Sequence, residues 1–131
     1  MSEIALARIL VIDDEAAQVE ALCGTLRDRG YDTAGFTKAD DALKALQQAQ
    51  FDLLLTDLKM PGMDGVELLT AALKIDPQLV GILMTGRGTI ETAVQAMQAG
   101  ALDYVLKPIK MSVLLPVIAR SVDVRRLRLE N

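Results

Sequence analysis

Three short runs of almost unbroken apolar residues constrain this chain more than any other feature: Arg8-Ile-Leu-Val-Ile12, Phe51 to Thr56, and Leu79-Val-Gly-Ile-Leu-Met84. A strand with one wet face alternates apolar and polar residues, whereas a strand buried on both faces reads as continuously hydrophobic. Segments with helical spacing separate them. Glu15 to Arg29 carries Ala16, Val19, Leu22, Cys23 and Leu26 on one side and stops at Gly30, and Asp40 to Ala49 carries Ala42, Leu43 and Leu46. Val66 to Ile75 ends at Asp76-Pro77, and Thr89 to Ala99 is closed by Gly100. Two weaker strands, Tyr31 to Phe36 and Leu102 to Leu106, and a last helix from Ser112 towards Leu129 complete five strands alternating with five helices. Such alternation predicts an α/β fold whose parallel sheet is covered on both faces.

Polarity then orders the strands. The first, third and fourth read as central, whereas the second, with Asp32 and Gly35, and the fifth, with Asp103, read as edges. This is the doubly wound order 2-1-3-4-5 with right-handed crossovers. Its direction reverses between strands one and three, and ligands bind there, at the carboxyl ends of the strands.

The residues available for chemistry are few in kind. There is no histidine and Cys23 is the single cysteine, which excludes an intrachain disulfide, a Cys/His zinc site and any Ser-His or Cys-His pair. Cys23 itself shares the core pattern of its helix and reads as packing. With 131 residues, 51% of them hydrophobic, the chain is sized for one soluble domain. Its apolar runs fall far short of the ~20 residues that span a bilayer, and no secretory-signal pattern opens it. A cytoplasmic protein without a membrane partner is expected. The balance of 14 basic and 18 acidic residues argues against direct nucleic-acid binding, which needs clustered Lys and Arg.

At the predicted sheet edge, Asp13 and Asp14 follow strand one, Asp57 follows strand three, Thr85 ends strand four and Lys107 follows strand five. Each has a plain alternative: Asp14 could favour a helix start, Thr85 could be a cap, Lys107 could be a solvated loop residue. Together they are harder to dismiss, because three like charges in one crevice repel unless a cation compensates. Carboxylates without His or Cys favour Mg²⁺ or Mn²⁺ over zinc. A carboxylate beside a metal and a lysine can also attack phosphorus, giving an aspartyl phosphate. Asp57, from a central strand, is the best placed nucleophile, and the adjacent Asp13 and Asp14 suit a metal.

These residues stand in motifs: Asp13-Asp14 after an apolar strand, Leu55-Thr-Asp-Leu-Lys-Met-Pro-Gly-Met-Asp-Gly65, Met84-Thr-Gly86, and Tyr104-Val-Leu-Lys-Pro108. In order and spacing the chain resembles the receiver domain of two-component response regulators, the CheY-like superfamily, from Ile9 to Val122. The resemblance implies a flavodoxin-like fold and a phosphorylation-dependent switch. Asp57 would accept a phosphoryl group from a histidine kinase, a phosphotransfer protein or a small phosphodonor; a chain without histidine is not its own donor. Asp14 would bind Mg²⁺ directly and Asp13 largely through water, with Asp57 and the backbone carbonyl of Lys59 completing the protein ligands. Lys107 would contact the phosphoryl oxygens, and the Lys107-Pro108 peptide would be cis. Beyond its own phosphotransfer and autodephosphorylation the domain would not be an enzyme.

The same resemblance implies that Thr85 turns its hydroxyl onto the phosphoryl group while Tyr104 swings inward. A half-buried edge-strand aromatic is the compatible plain reading of Tyr104. Output would be read from the face of the fourth helix, fifth strand and fifth helix, which could also form a homodimer. Ile90, Val94 and Met97 are the contact residues there, with one or two expected to be core. Lys59 and Arg87 flank the path of attacking water and should tune the phosphoryl lifetime. Gly86 leaves room for a donor or is a loop glycine, and Gly62 and Gly65 read as turn residues.

Two features sit apart. Pro116 falls inside the last helix, where a proline removes a hydrogen bond and kinks the chain unless it lies in the first turn. From Arg120 to Asn131 four basic residues face two acidic ones, and apolar spacing continues through Val124, Leu127 and Leu129 without a stop signal. Residues 1–122 read as the receiver and 123–131 as the start of a helical linker to an output domain. A Mg²⁺-dependent phosphohydrolase is the rival reading. It calls for a second Asp two residues after the nucleophile on strand one, whereas Asp13 is followed by Asp14, Glu15 and Ala16. A flavin module would need a Ser/Thr/Gly-rich loop after strand one and more aromatics.

Overall fold

A computed structural model describes residues 4–130. Strands β1 (Arg8–Ile12), β2 (Asp32–Phe36), β3 (Leu53–Asp57), β4 (Val80–Thr85) and β5 (Asp103–Leu106) alternate with five helices. These are α1 (Ala16–Asp28), α2 (Ala39–Gln48), α3 (Gly65–Ile75), α4 (Ile90–Gln98) and α5 (Met111–Glu130). All strand pairs are parallel and the sheet order is β2-β1-β3-β4-β5, as polarity predicts.

The continuous apolar strands feed two cores at once. Ile9, Val11, Leu53, Leu55, Val80, Ile82 and Met84 point to the face covered by α1 and α5, where Val19, Leu22, Cys23, Leu26, Leu114 and Ile118 meet them. Leu10, Ile12, Leu54 and Leu83 point the other way, towards Ala42, Leu46, Leu68, Leu69, Ala72 and Ala96 of α2, α3 and α4. Successive residues of a strand face opposite sides, so strands β1 and β3 must be apolar at every position. Each buried Leu or Ile contributes about 1.5–3 kcal/mol. The edge strands lack one neighbour, which is why β2 tolerates an exposed Asp32 and Gly35.

Helix ends follow local chemistry. Gly30 and Gly100 take positive φ just after α1 and α4, and the paired bonds Gly30 to Arg27 with Tyr31 to Leu26, and Gly100 to Met97 with Ala101 to Ala96, close both helices. Asp64 and Thr89 open α3 and α4 through reciprocal capping boxes with Glu67 and Thr92. Gly65 departs from its reading as a turn residue. It is the first residue of α3, and a Cβ there would fall 2.3 Å from the main-chain oxygen of Asp57. Only glycine lets the helix start rest on the strand end that carries Asp57.

Helix α5 starts one residue before Ser112 and runs through Pro116 without interruption to Glu130. Pro116 and Ser112 both face solvent, so water can serve the Ser112 carbonyl that the missing N–H leaves free. The basic end of this helix is docked on the domain. Arg125 is 2% exposed and pairs with Asp52 at 3.3 Å and Asp76 at 3.0 Å, the loops preceding β3 and β4. Arg128 donates to the Leu79 carbonyl at 2.8 Å, and its own carbonyl accepts from Gln78 at 3.1 Å. Among the described residues no helix is long and apolar enough to cross a membrane.

Candidate functional site

The carboxyl ends of β1, β3, β4 and β5 converge on one crevice. Asp57 is the last residue of β3 and Thr85 the last of β4, both buried, and Asp13 lies just beyond β1 with no exposed surface. Asp14 is exposed at the mouth. Carboxylate oxygens of Asp13, Asp14 and Asp57 all lie within 4.8 Å of one another, a group that can hold a metal ion. Lys107, one residue past β5, enters from the far side. Its Nζ lies 2.7 Å from Asp13 Oδ2 and 3.2 Å from Asp57 Oδ2. The Lys107-Pro108 peptide bond is cis.

Electrostatics follow from this packing. Burial pushes the Asp57 carboxyl above the usual range; Lys107 pulls it down, but the charges of Asp13 and Asp14 work with burial to keep it raised. For Lys107 burial disfavours the ammonium, yet the bonds and charges of Asp13 and Asp57 outweigh it and hold its pKa above the ordinary lysine value. The crevice therefore concentrates negative charge that one lysine only partly offsets. Asp13 is further fixed by the Glu15 N–H, which donates to its Oδ1 at 3.0 Å.

The Thr85 hydroxyl is engaged by the β4–α4 loop. It accepts from the Arg87 N–H at 3.1 Å and donates to the Arg87 carbonyl at 3.0 Å. Lys59, Gly86 and Arg87 are exposed around it. Tyr104 is half-buried against the α2–α3–α4 core. Further out on the same side, Ile90 (85%), Val94 (47%) and Met97 (43%) are all exposed, so none of the three is core. Leu106 and Val113 are also exposed and extend that apolar face, a contribution missed in sequence because β5 and α5 read only as strand and helix.

Comparison with known proteins places the chain. The family profile of the response regulator receiver domain matches residues 9–119. The C4-dicarboxylate transport transcriptional regulatory protein DctD of Rhizobium meliloti is 38% identical over 123 residues, 94% of this chain and 27% of its own. The chain thus spans about a quarter of the length of that curated relative. NtrX from Brucella abortus, solved in complex with ATP, superposes with a TM-score of 0.89 at 36% identity, over 95% of this chain and 29% of the other. The solution structure of the beryllofluoride-activated NtrC4 receiver domain dimer gives 0.85 at 30% identity, covering 90% of this chain and 98% of that one. By sequence, sheet order and the residues at its carboxyl edge, this chain belongs to the response regulator receiver domain family of two-component systems.

Proposed function

We propose that this domain is a Mg²⁺-dependent phosphorylation switch with Asp57 as acceptor. The observation that carries the reading is the placement of Lys107 between Asp13 and Asp57, with Asp14 alongside and Thr85 on the neighbouring strand. An oxygen-only donor set of three clustered carboxylates fits a hard divalent ion. Asp13, Asp14, Asp57 and the Lys59 main-chain carbonyl would hold it, and Asp13, whose two oxygens already have partners in Lys107 and the Glu15 N–H, suits an indirect role. When bound, Mg²⁺ neutralises charge on the phosphoryl oxygens.

A carboxylate oxygen of Asp57 attacks phosphorus in line. The new P–O bond forms as the donor's bond to phosphorus breaks, P–N for a phosphohistidine or P–O for acetyl phosphate, and the electron pair leaves with the donor. Lys107 Nζ meets the charge on the transferred group. Thr85 then donates its hydroxyl proton to a phosphoryl oxygen, and Tyr104 moves into the space released. The domain returns to rest when water attacks phosphorus and releases phosphate; Lys59 and Arg87 flank that approach, and Gly86 leaves room for the donor.

The donor in this reading is a histidine kinase or phosphotransfer protein in the cytoplasm. The response leaves through Ile90, Val94, Met97, Leu106 and Val113, either into a homodimer or onto a partner, and through α5 into an output domain such as the longer relatives carry. Nucleic acid is not a direct partner, since Arg125 and Arg128 are engaged by the domain itself. The test is intact-protein mass after incubation with Mg²⁺ and acetyl phosphate, beside Asp57→Asn and a chelated sample. A single phosphoryl adduct that needs the metal and is lost in the variant supports the reading, and an adduct retained by Asp57→Asn overturns it.

A further inference from the structure

We propose that Thr92 is a positioning residue for the Thr85 switch: its hydroxyl takes over the Arg87 carbonyl when the Thr85 hydroxyl turns to the phosphoryl group. The inference rests on Asp57 as phosphoacceptor and adds a residue to the machinery that responds. A hydroxyl has one proton to give. In the resting domain Thr85 donates its proton to the Arg87 carbonyl, at 3.0 Å. Donating it to phosphate leaves that carbonyl with the Thr89 N–H, at 3.2 Å, and one lone pair open to a side-chain donor that replaces Thr85.

A replacement stands in reach. Thr92 Oγ1 lies 3.2 Å from the same Arg87 oxygen, 3.0 Å from the Thr89 carbonyl and 3.1 Å from Thr89 Oγ1, and its single proton serves one of them at a time. Rotation about one C–O bond redirects it, with no backbone displacement. Its position is held by the cap: Thr92 Oγ1 accepts from the Thr89 N–H, which is shared with the Arg87 carbonyl, and the Thr92 N–H donates to Thr89 Oγ1, each Thr89–Thr92 bond at 3.1 Å. The capping box needs only an acceptor at this place, which Glu or Gln supplies in other helices. Threonine adds a donor. Loss of the Thr85 bond is thereby offset inside the loop, and the exchange is made on the first turn of α4, where Ile90 begins the exposed apolar face.

The test uses beryllofluoride with Mg²⁺ as the phosphoryl mimic on wild type, Thr92→Val and Thr92→Ser. Thr92→Val should bind beryllofluoride about three- to tenfold more weakly, the factor that one net hydrogen bond represents. Thr92→Ser should restore wild-type affinity, and Mg²⁺ affinity should be the same in all three. In a Thr85→Ala background the Thr92→Val effect should vanish, because the carbonyl is then without the Thr85 donor in both states. Equal beryllofluoride affinity of wild type and Thr92→Val, failure of serine to rescue, or an undiminished effect in Thr85→Ala would each overturn the proposal while leaving Asp57 as acceptor. Absence of beryllofluoride binding by wild type would overturn both.

Discussion

Lys107 and Asp13, ninety-four residues apart, form the shorter of the two ion pairs that the lysine makes at the carboxyl edge of the sheet, Nζ to Oδ2 at 2.7 Å against 3.2 Å to Asp57. The lysine is thus bound first to a carboxylate of the proposed metal site and only second to the proposed acceptor. Replacing it with methionine removes a cation that competes for the same oxygens. Lys107→Met should bind Mg²⁺ more tightly, on the order of tenfold at an effective dielectric intermediate between protein and water, yet accept phosphate from acetyl phosphate more slowly. Calorimetry of Mg²⁺ binding checks the first outcome and intact mass over time the second.

Asp57→Asn should stabilise the metal-free domain. The carboxyl is held above its ordinary pKa, mainly by burial, so ionising it costs the folded state. A raised folded pKa means that the fold binds more protons than the unfolded chain, and stability falls as pH rises from the unfolded value of about 3.9. The variant's advantage in thermal midpoint should therefore be present at neutral pH and shrink as pH falls towards that value, with about 4 °C for each kcal/mol in a domain of this size. Melting curves with EDTA from pH 4 to 8 read it; a lower midpoint for Asp57→Asn at pH 7 would contradict the electrostatic account.

Gly65→Ala should cost about 1–3 kcal/mol, because its Cβ meets backbone that has no rotamer with which to yield. The displaced atoms belong to Asp57 and Leu58, so phosphorylation should slow together with the loss of stability. Gly62→Ala tests a different cause, since it has open space but a positive φ, and should leave the acceptor's rate near wild type. Denaturant melts and acetyl phosphate labelling separate the two.

Arg125→Met keeps an apolar stem but removes the guanidinium, which leaves Asp52 and Asp76 without their shared partner. Both carboxylates are partly exposed, which limits the cost to about 1–2 kcal/mol. The last turn of α5 should also fray, read as faster amide exchange from Arg125 to Glu130. Labelling of Asp57 should be unchanged, since the clamp lies at the opposite end of the strands.

The apolar runs and the helical spacing between them were sufficient for the fold, because a strand buried on both faces has no polar option. Strand order followed from polarity, and the site followed from strand order: Asp13, Asp57, Thr85 and Lys107 stand next to apolar runs whose ends the topology brings together. Periodicity was silent on coverage. Ile90, Val94 and Met97 share a helix face, but only the packed molecule decides how much of each the described residues leave exposed. Arg125 reads as one more charge in a basic tail, since its partners lie 73 and 49 residues earlier and burial of a guanidinium leaves no mark in local sequence. The same holds for Gly65 against Asp57, and for the Thr85, Arg87 and Thr92 hydrogen bonds. Each depends on distances of a few tenths of an ångström between segments, which tertiary packing sets and hydrophobic pattern does not encode.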